Sequence, residues 1–192
     1  GNYMITGAAS VLWGHLFSDV LSGMWVFRRS CLKHLTLYSD SWNFSEEIKN
    51  KALALHRRFK GKLATVSKIP LNRETLSLLY TPGVGAISLL VAKNKKLAKD
   101  LTFKGNSVAV VSDGSAVLGL GNIGPEGALP VMEGKAIIFK EFADINAVPI
   151  VLNTQDQEEI IRAVKAISPT FGGINLEDIS APRCFEIESR LK

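Results

Sequence analysis

The side chains best suited to chemistry in this chain are two adjacent carboxylates, one lysine and one tyrosine, placed in three well-separated stretches. Glu177-Asp178 falls at the expected carboxyl end of a strand, just before Ser180 and Pro182 open a helix, which is where open α/β sheets place their ligands. Two hard oxygen donors there suit Mg²⁺ or Mn²⁺, which take carboxylates and keep coordination positions for water or substrate. The plainer alternative makes Asp178 or Ser180 a helix cap and leaves Glu177 exposed.

Lys135 shares helical spacing with Met132, Ala136 and Phe139, on a face expected to turn inward. A lysine on such a face is costly unless it has a partner, and a partly buried amine beside a cation is one way proteins obtain a general base near neutral pH. The alternative lays its stem on the core and its ammonium in water. Tyr80 precedes a Pro82-Gly83 bend that can hold a phenol at the rim of a pocket, or it is a packing residue with a wet hydroxyl. Gly119, Gly121 and Gly124 satisfy the GxGxxG spacing of a dinucleotide loop. No acidic residue stands about 20 positions later at the end of a second strand, so the glycines alone carry little.

The elements that must position these groups follow from periodicity. Asn43 or Ser45 caps a helix containing Ile48, Leu53, Leu55 and Phe59, and Gly61 ends it. A short helix over Arg73–Leu79 breaks at Tyr80-Thr81-Pro82-Gly83, since Pro82 disfavours helical geometry at Thr81; another spans about Ala86–Lys99. From there strands and helices alternate. Ser107–Val111 reads as a buried strand, Asp113-Gly114 as a turn and Ala116–Leu120 as a short apolar segment. Pro125–Phe142 reads as a helix with Leu129, Met132, Ala136 and Phe139 inward, Ala147–Leu152 as a strand, Asp156–Ile167 as an amphipathic helix and Gly172–Leu176 as a strand, after which Pro182 opens the last helix. Such alternation implies parallel strands with helical crossovers, hence an α/β domain behind a helical amino-terminal part.

Composition narrows the function classes. The chain has 192 residues, 46% hydrophobic and 21% charged, as expected for a folded globular protein. The net charge of +5 has one dense cluster, Lys93, Lys95, Lys96 and Lys99. That reads as a solvated helix face, so no nucleic-acid partner is expected, although a modest positive field favours the approach of a dianion. Cys31 and Cys184 match neither a disulfide framework nor a metal motif, and a cytoplasmic setting is expected. The apolar run Met4–Phe27 is interrupted by His15, Ser18, Asp19 and Ser22, so neither a membrane span nor a signal peptide is expected.

Read together, Tyr80-Thr81-Pro82-Gly83-Val84, the run from Val110 to Pro125 (VVSDGSAVLGLGNIGP), Pro130-Val131-Met132-Glu133-Gly134-Lys135 and the run from Pro169 to Ile179 (PTFGGINLEDI) resemble the malic enzyme family of the compact prokaryote-like type. The resemblance covers about residues 50–192. It implies a malate-binding amino-terminal domain, with Lys135 as the base at the malate hydroxyl, Tyr80 as the acid that protonates enolpyruvate, and Glu177 and Asp178 as ligands of Mg²⁺ or Mn²⁺. It further implies oxidative decarboxylation of malate to pyruvate and CO₂ and a homodimer. The NAD or NADP site and a third metal-binding aspartate are then expected outside this chain, which would be incomplete for turnover. After Val84, Gly85-Ala86-Ile87-Ser88 departs from the usual wording. A noncatalytic metal- or acid-binding or dimerisation module is the alternative.

Residues 1–43 have another texture, with all three tryptophans. Ser18-Asp19-Val20-Leu21-Ser22-Gly23 and Phe27-Arg28-Arg29 resemble the late part of a family-2 glycosyltransferase of the dolichol-phosphate mannosyltransferase kind, with Trp25 where an arginine is common. The chain thus reads as an extension, 1–43, joined to a substrate and metal domain, 44–192.

Overall fold

A computed structural model of the chain describes residues 44–192, with side chains from residue 47 onward. The likeness noted for residues 1–43, and Asn43 as a helix cap, lie outside the described residues. The chain separates into two compact units, Gly1–Ala54 and Leu55–Lys192, and the sheet lies wholly in the second.

Helix α1, Phe44–Phe59, ends where Lys60 and Gly61 adopt positive φ of 53° and 102° and the Gly61 amide donates to the His56 carbonyl. Helix α2, Arg73–Leu79, is started by Asn72. Its side chain accepts from the Glu74 and Thr75 amides while the Thr75 hydroxyl accepts from the Asn72 amide, a reciprocal cap that satisfies donors the helix itself cannot. Helix α3 runs over Gly83–Lys93 and stops short of the predicted Lys99, because Asn94 turns to extended backbone and its side chain takes the Lys96 amide. Residues Arg73–Lys93 together are apolar and 21 long. The Tyr80–Pro82 bend divides them into helices of 7 and 11 residues, each short of the roughly 20 a membrane span requires. A short helix, α4, Ala98–Leu101, leads to the sheet.

The sheet has three parallel strands in the order β2-β1-β3: β1 Ser107–Ser112, β2 Asn146–Val151 and β3 Gly173–Leu176. Ser107 faces Asn146 in register on one side, and Val108 faces Gly173 on the other. The crossovers are helix α5, Gly124–Ala143, and helix α6, Gln157–Ile167; helix α7, Arg183–Leu191, follows β3. Helix α6 is capped by Asp156, whose carboxylate accepts the Glu159 amide, with Glu158 and Glu159 placed to meet the positive end of the helix dipole.

The core explains the layering. Ala109 and Val111 of β1 pack with Ile160, Ile161 and Val164 of α6 and Ile187 of α7. Side chains alternate across a strand, so the buried Val110 turns to the other face, where α5 lies against β1 and β2 with Ala128, Met132 and Ala136 buried. The inward stripe of α5 therefore begins at Ala128. Leu129, predicted inward, is 37% exposed, since small residues let the helix approach the sheet. The Ala116–Leu120 segment forms no strand: a single bridge joins Val117 to Gly121, and Leu118 is 89% exposed.

Candidate functional site

All three strands point their carboxyl ends the same way, and the loops that follow them meet at one edge. After β1 comes the turn Asp113-Gly114-Ser115. Gly114 has φ of +67°, and a β-carbon there would lie 2.0 Å from the Gly124 carbonyl oxygen, so only glycine lets the turn press against the start of α5. After β3 the Glu177 amide still donates to the Val111 carbonyl at 2.8 Å, which extends the ladder by one residue. Asp178 then enters the left-handed region with φ of 54°, and its carbonyl accepts the Ala116 amide at 3.0 Å.

This path brings two of the three sequence-predicted stretches together. Lys135 Nζ lies 2.9 Å from Glu177 Oε1, with side chains 37% and 24% exposed. Asn175, on β3, donates from Nδ2 to the same Glu177 oxygen at 3.2 Å, so the carboxylate is oriented from two sides. Asp178 sits beside them. Burial, then the neighbouring Glu177 charge, raises its pKa above the ordinary aspartate value, with Lys135 opposing.

Tyr80 stands apart. It ends α2, which packs on α3, and is 68% exposed. Among the described residues no hydrogen bond links its hydroxyl to Lys135, Glu177 or Asp178.

The donor set suits a hard divalent cation. Two half-buried carboxylates lie side by side, one with its ionised form disfavoured by the other, and a dication relieves that repulsion while accepting hard oxygen ligands. Among the described residues no third His, Cys, Asp or Glu completes a cluster. A separate groove of about 810 Å³ is lined by Val108, Phe139, Ile174, Leu176, Phe185 and Leu191, among others, and not by Lys135, Glu177 or Asp178. Lys165 and Lys192 also border it, and open α/β sheets place ligands at the carboxyl edge instead.

Sequence reasoning missed the polar frame of this edge. Asp113 is fully buried and paired with Arg183, Nη2 to Oδ2 at 2.5 Å, while Asp113-Gly114 reads in sequence as a turn and Arg183 as the start of a helix. A charged residue directly after a strand of small and β-branched residues was the available signal.

The fold is that of an α/β domain whose parallel sheet carries adjacent carboxylates and a lysine at its carboxyl edge. Comparison with known proteins makes this specific. The family model for the malic enzyme N-terminal domain matches residues 60–192, and the chain belongs to the malic enzyme family. It is 65% identical over 133 residues to the NAD-dependent malic enzyme of Geobacillus stearothermophilus, covering 69% of this chain and 28% of that protein. It is 56% identical over 146 residues to the bifunctional malic/malolactic enzyme of Bacillus subtilis, covering 76% and 36%. Among solved structures, the NAD-dependent malic enzyme of Thermotoga maritima superposes with a TM-score of 0.71 at 59% identity, over 73% of this chain and 40% of that one. The Pyrococcus horikoshii malic enzyme gives 0.73 at 52% identity, over 75% and 34%. The chain thus spans about a third of the length of the relatives it matches, and the glycine-rich run 119–124 falls inside the region matched as the N-terminal domain.

Proposed function

We propose that this chain is the malate- and metal-binding part of an enzyme that oxidatively decarboxylates malate to pyruvate and CO₂, with NAD or NADP as hydride acceptor. The observation that carries the reading is the ion pair of Lys135 with Glu177 at the sheet's carboxyl edge, beside Asp178. Relatives bearing both NAD- and NADP-dependent names support the acceptor class, and no residue of this chain is assigned to it.

In this reading Glu177 and Asp178 hold Mg²⁺ or Mn²⁺. A cation held there would supply Lewis-acid polarisation of a keto carbonyl, the chemistry that eases loss of CO₂ from a β-keto acid. With Glu177 given over to the cation, the Lys135 ammonium releases its proton to solvent, and the free amine then takes the proton of the malate C2 hydroxyl as hydride leaves C2 for the nucleotide. Asn175 fixes the Glu177 carboxylate. Tyr80 as the donor of a proton to C3 of enolpyruvate is supported by its sequence motif alone.

The test is a calorimetric titration of malate and Mn²⁺ into the chain, with and without NAD(P)⁺, compared with Lys135→Ala. Malate binding that requires Mn²⁺ and is lost on the substitution is the expected result; metal-linked malate binding indifferent to Lys135 would sink the assignment.

A second reading, a noncatalytic module through which two copies pair, is favoured by one observation. Leu76, Leu78, Leu89 and Leu90 of α2 and α3 are 47–70% exposed, and apolar area on this scale commonly marks an interface. Light scattering on the chain, and on the chain lacking residues 1–43, separates the readings. A monomer in both cases removes the pairing module.

A further inference from the structure

The Arg183 guanidinium touches all three loops at the carboxyl edge. Its Nη2 donates to Asp113 Oδ2 and Ser115 Oγ, both at 2.5 Å, in the loop after β1. Its Nη1 donates to the Gln155 carbonyl in the loop after β2. Its Nε donates to Ser180 Oγ at 2.9 Å in the loop after β3. Ser115 Oγ ties the first and third loops again, donating to Asp113 Oδ1 at 2.6 Å and accepting the Ser180 amide at 2.9 Å.

Four of the five N–H donors of the guanidinium are thereby engaged within the protein. The fork is not free to clamp a substrate carboxylate, so whatever Arg183 contributes passes through its neighbours. The neighbour that matters is the loop carrying Glu177 and Asp178. Asp178 is held in left-handed backbone, which few residues besides glycine adopt and aspartate only with local support, and its carbonyl hangs on the Ala116 amide. Ala116 directly follows Ser115, which Arg183 grips. The guanidinium side chain is 18% exposed and the Asp113 side chain 0%, so the grip is shielded from solvent and little weakened by salt. A planar fork reaching several acceptors at fixed angles is a task for arginine and not for lysine.

We propose that Arg183 is a positioning residue: through Asp113 and Ser115 it holds the 177–180 loop in the geometry that lets Glu177 and Asp178 bind a divalent cation together. This rests on the metal-site reading above. It differs from a general stabilising role because its effect falls on metal affinity while the sheet stays intact.

The experiment titrates Mn²⁺ into the 192-residue chain, reading free Mn²⁺ by electron paramagnetic resonance, for the unchanged protein, Arg183→Gln, Arg183→Lys and Ser115→Ala. Amide hydrogen exchange is followed in parallel. Partners that orient metal ligands are worth about 10- to 100-fold in affinity. The Mn²⁺ dissociation constant is therefore expected to rise at least about tenfold in Arg183→Gln. Exchange should quicken at residues 113–117 and 177–181 and stay unchanged at Ala109–Val111. Arg183→Lys and Ser115→Ala shift affinity in the same direction by less. Arg183→Gln binding Mn²⁺ within about twofold of the unchanged chain overturns the proposal and leaves the metal site standing. If Arg183→Gln does not fold, unaltered affinity in both Arg183→Lys and Ser115→Ala overturns it. An unchanged chain that binds no Mn²⁺ overturns the metal-site reading and the proposal with it.

Discussion

Lys135 and Glu177 reach their ion pair from different elements, the lysine from the fourth turn of α5 and the glutamate from the first residue beyond β3. The ammonium occupies space beside the very carboxylate that is assigned to a cation. Replacing Lys135 by alanine should therefore act in two directions. Mn²⁺ alone should bind up to about fivefold more tightly, the equivalent of the ~1 kcal/mol that a partly exposed pair contributes, while malate no longer binds with the metal. Calorimetry with each ligand separately reads both effects.

Asp178→Asn separates stability from binding. Burial and Glu177 raise the Asp178 pKa in the folded chain, so the folded state holds that proton more tightly than the unfolded one. Its contribution is fully present below the ordinary aspartate pKa and is lost as pH rises through the raised value. At neutral pH the ionised group is a small burden, and asparagine also tolerates the left-handed backbone. Thermal unfolding of Asp178→Asn should thus match or exceed the unchanged chain at pH 7, by under about 1 kcal/mol. The gain should vanish in acid, and Mn²⁺ binding should be abolished at every pH.

Gly114→Ala should be among the most damaging single-methyl changes at this edge. The new carbon would meet the Gly124 oxygen at 2.0 Å, and alanine resists the positive φ. Both force the loop after β1 away from the start of α5. A loss of more than about 1 kcal/mol in urea unfolding is expected, with faster exchange at residues 113–117.

Ile187→Ala probes whether α7 belongs to the core. The side chain is fully buried with Ile160 and Ile161, and truncating such a residue costs about 2–5 kcal/mol. Urea unfolding should register that loss. A cost below about 1 kcal/mol would mean that α7 is loosely held, and Arg183 with it.

The sequence was most legible where one signal decided the structure. Strand and helix alternation located β1, β2, β3 and the helices between them, and so set Glu177 and Asp178 at a strand's carboxyl end. Local chemistry misled where it competed with pattern. Apolar spacing runs on through Leu97, yet the Asn94 side chain ends α3 at Lys93. Leu118 and Leu120 read as apolar segment but stand 89% and 64% exposed on an irregular loop. The meeting of Lys135 with Glu177 followed from the fold. The sequence hinted at Asp113 through its place after a buried strand, but the pairing of Arg183 with Asp113, Gln155 and Ser180 arises only when three loops converge.

Strand β3 is four residues long and, among the described residues, pairs on one side only, with β1. Because side chains on a strand alternate, sliding it by a single position exchanges its two surfaces. Glu177 would then turn toward α6 and carry Asn175 with it, while Asp178 would inherit the place beside Lys135. Inserting or deleting one residue between Phe171 and Gly173 should accordingly erase ligand recognition while leaving most of the hydrophobic interior assembled, a phase error in place of unfolding.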